Sequence, residues 1–199
     1  MDVIFEKDDA GVYLAKREFA HESLSHWQER VSWQVNSIQM FGKWHLEPRQ
    51  TAWFGPAYRY SSVQWPGQPL TPELSHMARQ IQGILTQKPW GNVVSDDHFN
   101  SVLLNLYRNG QDHMGWHRDN EPEMDRRFIA SVSLGESRDF KIRHRASKDA
   151  FTVNLAHGDL LFMRNLQTDF EHALPKRTRV KGPRLNFTFR ACMAGCGAR

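Results

Sequence analysis

Hydrophobic side chains recur at helical spacing in two segments of the first half of the chain. The first segment, 22–33, has the pattern of a short amphipathic helix. The second follows Thr71, which can cap a helix, and Pro72, which suits a first helical turn. The apolar positions are Leu24, Trp27 and Val31 in the first segment and Leu74, Met77, Ala78, Ile81 and Leu85 in the second. We interpret both stripes as faces that pack against a core.

The second half of the chain changes to short runs that are rich in β-branched and aromatic residues. These runs cover residues 99–107, 128–134, 139–145, 151–155, 159–163 and 184–190. Turn-forming residues separate them, as at Asn109-Gly110, Gly135 and His157-Gly158-Asp159. Many short strands without intervening helices are typical of a β-sandwich or a jelly roll. The pattern therefore predicts a mainly β fold with flanking helices (α+β).

The length of the chain sets the domain organisation that we expect. With 199 residues, the chain is predicted to form one domain with its own core. Its parts are an N-terminal region of helices and irregular structure (1–98), an all-β region (99–190) and a tail (191–199). Cys192 and Cys196 in the tail are too few for a disulfide framework or a structural zinc site, so we expect no role for them.

Composition and charge narrow the range of partners. A net charge of +4 and a pI of about 9.2 suit a polyanionic partner, although many basic proteins bind no nucleic acid. The longest apolar runs fall short of the roughly 20 residues that span a bilayer, so no membrane partner is expected. The N-terminus is acidic and mixed, unlike a signal peptide, which predicts a cytoplasmic location, with a nuclear location left open. We also expect the protein to be a monomer.

A candidate metal site lies in the sequence His117-Arg118-Asp119. Residues i and i+2 of an extended segment point to the same face, so His117 and Asp119 can bind one ion together. His172, just before the final predicted strand, is the natural third ligand. Two histidines and one carboxylate form a facial triad, which leaves positions on iron(II) open for a cosubstrate and oxygen.

Other histidines offer competing patterns. His157 and Asp159 form a second His-x-Asp sequence, but they lie in a glycine turn that we interpret as the start of a strand. His113 falls in a predicted loop and His144 in a predicted strand. Because most histidines are satisfied by ordinary hydrogen bonds, the His-x-Asp pattern alone does not establish a metal site.

The last predicted strand supplies a second kind of candidate site. Arg184 and Arg190 lie six residues apart, so strict alternation puts both on one face of the strand, together with Asn186 and Thr188. A guanidinium can bind a carboxylate through two parallel hydrogen bonds, so this face suits a buried dicarboxylate. The alternative is a solvated face with surface salt bridges.

Five blocks of sequence resemble the AlkB family of dealkylating dioxygenases, in particular the branch that repairs alkylated bases in duplex DNA. They are FNSVLLNLYRNGQDHMGWHRDNE, IASVSLGESRDFKIRH, LAHGDLLFM, EHALP and GPRLNFTFR. The resemblance runs from about Phe41 to Arg190, and the order and spacing of the blocks make it specific. It implies a double-stranded β-helix, which is a jelly-roll core, preceded by a nucleotide-recognition segment.

The resemblance also implies roles for particular residues. The iron(II) ligands would be His117, Asp119 and His172. Arg184 would pair with the distal carboxylate of 2-oxoglutarate, and Arg190 would lie near its carboxylate and keto end. Asn105, Tyr107 and Thr188 match positions that line or hydrogen-bond this cosubstrate. The implied reaction consumes O2 and removes alkyl groups from bases of the 1-methyladenine and 3-methylcytosine type, with release of formaldehyde and succinate.

The same resemblance points to residues that reach the nucleic acid. A base inside a duplex must be flipped into a pocket before an enzyme can act on it. The segment Met40-Phe41-Gly42-Lys43 resembles the finger of duplex-acting relatives, with Met40 and Phe41 as a wedge, Gly42 at the turn and Lys43 at phosphate. The alternative is that Met40 and Phe41 belong to the core. Arg49 and Tyr60 match positions of the base-pocket lid and DNA contacts.

The chain departs from the family at two of these positions. Relatives often carry an aromatic residue where this chain has Ser62, so a different ring must stack on the flipped base, and Trp53, Phe54 and Trp116 are candidates. Duplex-acting relatives usually have an acidic residue directly after the His-x-Asp motif. This chain has Asn120 and then Glu121, and an amide can donate as well as accept a hydrogen bond, which leaves the base preference open.

Three functions remain to be distinguished. The first is dealkylation of DNA, single-stranded or duplex. The second is the same oxygenase chemistry on RNA or on a protein side chain, since a fold and a metal site do not fix the substrate. The third is a nucleic-acid-binding module without catalysis, which would require a broken metal triad.

Overall fold

The computed structural model describes residues 1–40, 42–60, 63–91, 94 and 98–193; for 38–40, 58–60, 63 and 64 it describes the backbone alone. Two helices lie in these ranges, α1 (Leu24–Arg30) and α2 (Pro72–Leu85). The strands are β1 (Asp2–Lys7), β2 (Ala10–Ala15), β3 (Ser37–Met40), β4 (Lys43–Leu46), β5 (Gln50–Phe54), β6 (Tyr58–Tyr60), β7 (Val63–Trp65), β8 (Ser101–Tyr107), β9 (Met114–His117), β10 (Phe128–Gly135), β11 (Arg138–His144), β12 (Ala150–Leu155), β13 (Leu160–Arg164), β14 (Phe170–Leu174) and β15 (Arg184–Arg190).

Two antiparallel sheets form the body of the molecule. The major sheet has the order β1-β2-β13-β10-β15-β8-β5, and the minor sheet has the order β12-β11-β14-β9. From β8 onward the chain passes back and forth between the sheets, so that β8, β10, β13 and β15 lie in one and β9, β11, β12 and β14 in the other. This arrangement of eight strands is the predicted jelly roll, which confirms the fold class.

The major sheet extends beyond the strands predicted from the sequence. Strands β1 and β2 continue it past β13, and β5 pairs with β8 at its other edge. The prediction of helices and irregular structure before residue 99 was therefore wrong for these segments. Strand β2 is almost wholly buried, and it lacks the alternation of polar and apolar residues that marks a half-exposed strand.

The two predicted helices are both present, and α1 is shorter than its apolar pattern. Ser23 caps α1, and the helix ends at Arg30. Thr71 caps α2 by accepting a hydrogen bond from the backbone N–H of Leu74 at 3.2 Å, as its sequence predicts. Helix α2 buries its apolar stripe against the outer face of the major sheet. Neither helix is long and apolar enough to cross a membrane.

The alternation of side chains along β15 determines where the cavity lies. Leu185, Phe187 and Phe189 are fully buried in the core that the major sheet shares with the helices. The four residues between and beside them, two arginines, an asparagine and a threonine, face the minor sheet instead and line a cavity. The two faces of this strand are therefore divided as the sequence predicts.

Candidate active site

A cavity lies between the two sheets of the jelly roll. The major sheet contributes β8, β10 and β15 to its wall, and the minor sheet contributes β9, β11 and β14. A third wall comes from the N-terminal region, through Asn36, Glu47, Arg49 and Thr51. The cavity is therefore closed on three sides, which suits a reaction that must exclude water.

The three predicted metal ligands come together in this cavity. One nitrogen from His117, one from His172 and a carboxylate oxygen of Asp119 all lie within 4.8 Å of one another. The Nε2 atom of His117 is 3.8 Å from Asp119 Oδ1, and the Nε2 atom of His172 is 3.7 Å from Asp119 Oδ2. Two imidazole nitrogens and one carboxylate oxygen at this spacing fit iron(II) in a facial triad.

Strand pairing explains why the two histidines meet. His117 on β9 is directly opposite His172 on β14, so both side chains point to the same face of the minor sheet. The pairing is irregular between this point and Met114, because three residue steps on β9 oppose two on β14. In a regular strand, side chains three residues apart point to opposite faces of the sheet. The bulge instead turns both Met114 and His117 towards the cavity.

The hydrogen bonds of His117 prepare its ring for metal binding. Nδ1 of His117 lies 2.9 Å from the backbone oxygen of Gly115. Because a carbonyl oxygen can only accept a hydrogen bond, Nδ1 carries the proton and Nε2 keeps its lone pair. The nitrogen that faces Asp119 is therefore the one that is able to bind a metal.

Burial and charge keep the other two ligands in their metal-binding forms. Burial, reinforced by the neighbouring His117 and Arg190, lowers the pKa of His172 to about 3, so its imidazole is neutral at physiological pH. Burial alone would raise the pKa of Asp119, but electrostatic interactions with the two imidazoles and with the guanidinium groups of Arg190 and Arg49 outweigh it and lower this pKa. Asp119 is therefore ionised.

Arg184 is a buried cation for which the described residues provide no acidic partner. Its Nη2 donates a hydrogen bond to Ser133 Oγ at 2.8 Å, and its guanidinium lies 5.6 Å from the centre of the Tyr107 ring. Burial lowers the pKa of Arg184 to about 10, which still leaves it charged at neutral pH. A buried charge without a counterion is costly, so this position fits the carboxylate of a small ligand such as 2-oxoglutarate.

The remaining charges of the cavity form two internal pairs. Arg190 donates to Glu121 at 2.8 Å, and Arg49 donates to Glu47 at 2.9 Å. Both pairs are almost completely buried. Among the described residues, three carboxylates and three guanidinium groups line the cavity, so after this pairing Asp119 and Arg184 are left. The unpaired anion is a metal ligand, and the unpaired cation lies elsewhere in the same cavity.

The residues matched to the cosubstrate all line the cavity. Asn105 and Tyr107 lie on β8, directly opposite Asn186 and Arg184 of β15. Asn105 is buried, and its Oδ1 has no hydrogen-bond partner among the described residues. Thr188 donates a hydrogen bond to Asn186 Oδ1 at 3.0 Å. The amide oxygen of Asn105 is thus a polar group of the cavity that still requires a partner.

The predicted finger is the turn of a hairpin formed by β3 and β4. Met40 pairs with Lys43, and Gly42 adopts a φ of 77°, which a glycine accommodates without strain. Lys43 is exposed, as a phosphate contact would require. Phe41 and Ser62 lie outside the described residues, and only the backbone of Met40 and Tyr60 is described, so the wedge remains a prediction.

The aromatic candidates for base stacking lie outside the cavity wall. Trp53 is 1% exposed and belongs to a separate core cluster, and Phe54 packs against the main core. Trp116 is on the opposite face of β9 from His117, and the guanidinium of Arg143 lies 4.0 Å above its ring. The indole that does line the cavity is Trp65 on β7, which the sequence analysis missed.

The residues that follow the metal-binding sequence divide between two environments. Glu121 lines the cavity and pairs with Arg190, whereas Asn120 is not part of the cavity wall.

Of the other histidines, His157 accepts a hydrogen bond from the backbone N–H of Gly135 at 3.0 Å, in keeping with a structural role. His113 and His144 are likewise absent from the wall.

The tail differs from what the sequence led us to expect. Cys192 is buried beside Trp53, Trp65 and Met124, so it is part of the packing behind the cavity. Cys196 lies outside the described residues. The buried position of Cys192 follows β15 directly, and Asn100 fixes it by donating to the Cys192 backbone oxygen at 2.9 Å.

Comparison with known proteins agrees with this geometry. The model of the 2OG-Fe(II) oxygenase superfamily matches residues 12–190. The chain is 39% identical over 166 residues to the DNA oxidative demethylase ALKBH2 of Homo sapiens, which covers 77% of this chain and 60% of that protein. It is 35% identical over 159 residues to the alpha-ketoglutarate-dependent dioxygenase alkB homolog 3 of Homo sapiens, covering 73% and 52%.

The fold comparison extends over nearly the whole chain. The solved structure of OsALKBH1 superposes with a TM-score of 0.64 at 18% identity, covering 93% of this chain and 100% of the other. The chain belongs to the 2OG-Fe(II) oxygenase superfamily and, within it, to the AlkB family. It spans about 51–65% of the length of the mammalian relatives named ALKBH2 and alkB homolog 3 that it matches in Homo sapiens and Mus musculus.

Proposed function

We propose that this protein is an iron(II)- and 2-oxoglutarate-dependent dioxygenase that removes alkyl groups from the nitrogens of DNA bases. One observation carries the proposal: a cavity whose paired charges leave over one ionised metal ligand, Asp119, and one buried cation, Arg184. This residual pattern suits a divalent metal together with a dicarboxylate. The ALKBH2 relatives, which are named DNA oxidative demethylases, support DNA as the substrate.

The residues of the cavity divide the work of such a reaction. His117, Asp119 and His172 would hold iron(II), and Arg184 would hold a carboxylate of 2-oxoglutarate. The chemistry supplied at this metal would be oxidation of the alkyl carbon by O2, coupled to conversion of 2-oxoglutarate to succinate and carbon dioxide, with one oxygen atom of O2 entering succinate and the other the alkyl group. The hydroxymethyl group then leaves as formaldehyde. The protein orients the reactants and excludes water, and none of its side chains acts as a nucleophile.

Access to the cavity requires that the base leaves its helical stack. The metal ligands lie between two sheets, where a paired base in a duplex does not reach. The hairpin of β3 and β4 leads into the cavity wall, because Glu47 follows β4 and donates its backbone N–H to Asn36, which precedes β3. Its exposed Lys43 suits a phosphate contact, and its turn at Gly42 suits a wedge.

The nucleic acid and the active form of the protein are parts of the same proposal. We expect single-stranded and duplex DNA as substrates, with RNA as a further substrate of the same chemistry. A monomer is proposed as the active form. Light scattering coupled to gel filtration measures the oligomeric state. Parallel reactions on single-stranded DNA, duplex DNA and RNA compare the three as substrates.

The direct test uses an oligonucleotide that carries a single 1-methyladenine. The protein, loaded with iron(II) without air, is incubated with 2-oxoglutarate, ascorbate, air and the oligonucleotide as duplex DNA, single-stranded DNA or RNA. Mass spectrometry follows the loss of one methylene equivalent. His117→Ala removes a metal ligand, and His113→Ala is the matched control because His113 is half-buried, as His117 is, and lies outside the cavity wall.

The outcomes separate the three functions. Demethylation by the wild type and by His113→Ala, but not by His117→Ala, supports the proposal. Conversion of 2-oxoglutarate to succinate without any change in the three oligonucleotides keeps the oxygenase and rejects this substrate class. If neither reaction occurs in protein that retains bound iron(II), the proposed activity is wrong.

A further inference from the structure

Gln167 connects the two parts of the chain that carry the metal ligands. It lies in the turn before β14, five residues ahead of His172, and its side chain is buried. Its Oε1 accepts a hydrogen bond from the backbone N–H of Asp119 at 3.0 Å, across a separation of 48 residues. The glutamine thus contacts the Asp119 segment while it belongs to the His172 segment.

A second hydrogen bond holds the same two segments together. Arg118, the residue before Asp119, donates from Nη1 to the backbone oxygen of Gln167 at 3.4 Å. The turn itself is fixed, because Leu166 is buried in the core between the sheets and Asn165 donates its backbone N–H to Arg127 at 2.7 Å. Gln167 is therefore a firm point of attachment for the loop that contains Asp119.

The free end of the Gln167 amide is evidence about its role. Because Oε1 is the atom that faces a backbone N–H, the amide orientation is set and Nε2 is the other end. Nε2 is buried and has no hydrogen-bond partner among the described residues. A buried donor without a partner is unfavourable, so this glutamine is a poor choice for packing alone.

We propose that Gln167 is a positioning residue for the metal site. It fixes the backbone of Asp119 relative to the strand that carries His172, so that the carboxylate faces both imidazoles before a metal arrives. Residues in this position around metal sites orient the ligands and typically change metal affinity about 10- to 100-fold when replaced. The inference rests on the metal site of the proposed function, and it is independent of the nucleic acid substrate.

The test is a comparison of affinities for Mn(II), measured from the electron paramagnetic resonance signal of the free ion. Gln167→Leu removes the acceptor for Asp119, and we expect Mn(II) to bind about tenfold more weakly. Gln167→Glu keeps an acceptor oxygen at the same distance along the side chain and should recover most of the affinity. If Gln167→Leu does not fold, Gln167→Asn replaces it, because its side chain is one methylene shorter and its amide oxygen should not reach the backbone N–H of Asp119.

Gln82 provides a matched control. It is also buried, its Nε2 donates to the backbone oxygen of Val94 at 2.8 Å, and its Oε1 has no hydrogen-bond partner among the described residues. It lies on α2, outside the cavity wall, so Gln82→Leu should bind Mn(II) as the wild type does.

Three results would overturn the inference. They are a Gln167→Leu affinity within twofold of the wild type, an equal loss in Gln82→Leu, and a Gln167→Glu affinity no better than that of Gln167→Leu. Failure of the wild type itself to bind one equivalent of Mn(II) would reject the metal site and the proposed function together. Failure of the proposed DNA substrate, with tight and Gln167-dependent Mn(II) binding, would leave this inference intact.

Discussion

Replacement of Arg184 by methionine should affect protein stability and 2-oxoglutarate binding in opposite directions. Arg184 is 2% exposed, and its guanidinium donates a hydrogen bond to the neutral Ser133 hydroxyl. Exchange of a buried ion for an apolar side chain of similar size often stabilises a protein by about 1–4 kcal/mol. Loss of the bond to Ser133 offsets about 1 kcal/mol of this. We therefore expect the metal-free variant to be more stable by roughly 0–3 kcal/mol.

The effect on the cosubstrate is larger and has the opposite sign. Removal of one partner from a buried, hydrogen-bonded ion pair costs about 2–5 kcal/mol of binding energy. At about 1.4 kcal/mol for each factor of ten, the affinity for 2-oxoglutarate should fall roughly 30-fold to several thousand-fold. A gain in protein stability together with a loss of affinity for 2-oxoglutarate is expected only of a cation whose counterion is the ligand.

Arg138 is the matched control for this experiment. It is as deeply buried as Arg184, but it donates to the backbone oxygens of Asn109, Asp112 and Pro175 at 3.3, 2.9 and 2.8 Å. It does not line the cavity. Arg138→Met leaves three buried carbonyl groups without this donor and should destabilise the protein by roughly 3 kcal/mol or more.

Urea unfolding of the metal-free proteins and calorimetric titration of 2-oxoglutarate into the Mn(II)-loaded proteins measure the two effects. Destabilisation of the protein by Arg184→Met as large as that by Arg138→Met would contradict the role of Arg184 as a cation without a protein counterion. An affinity of Arg184→Met for 2-oxoglutarate within threefold of the wild type would contradict its role in binding the cosubstrate.

Two further predictions concern the loop after β8 and the wall of the cavity. Burial would raise the pKa of Asp112, but hydrogen bonds from the side chain and backbone of Arg108 lower it. A lowered pKa stabilises the fold above the ordinary value near 4, and this contribution is lost as pH falls through the native pKa. Asp112→Asn should thus lower the free energy of unfolding by about 1–3 kcal/mol at neutral pH and by progressively less at acidic pH. An equal loss at neutral and at acidic pH, measured by urea unfolding, would contradict this. Trp65→Leu should raise the KM for a methylated oligonucleotide about 5- to 150-fold, the range for one stacked base, with kcat less affected; an unchanged KM would exclude stacking on this ring.

The sequence predicts the β15 side of the site because that side depends on local periodicity. Arg184 and Arg190 share a face with Asn186 and Thr188 as soon as the segment is extended, whatever the rest of the fold does. The cap at Thr71 is local in the same sense. Such features follow from neighbouring residues, and the structure reproduces them.

The parts that were missed depend on contacts between distant segments. Asn36 and Glu47 reach the cavity because the segment before β3 pairs with β5 through Gln34 and Thr51, a contact that the periodicity of the sequence does not predict. Trp65 is separated by a few residues from Ser62, where the family pattern led us to expect a ring, yet its short strand gives no pattern of its own. The bulge that brings Met114 beside His117 is likewise visible only in the pairing with β14.

The arrangement of charges in the cavity favours one order of binding for the metal and 2-oxoglutarate. His172 is neutral at physiological pH because burial depresses its pKa, and the hydrogen bond from Nδ1 of His117 to the backbone oxygen of Gly115 turns Nε2 towards Asp119. A metal that binds these nitrogens therefore displaces no proton from His172 in the neutral range, so protonation of this ligand does not oppose binding. Metal binding then consumes the negative charge of Asp119, while Arg184 still lacks an anion among the described residues. A dicarboxylate thus meets a cavity that has gained positive charge at the metal and retains it at Arg184, which favours metal first and 2-oxoglutarate second.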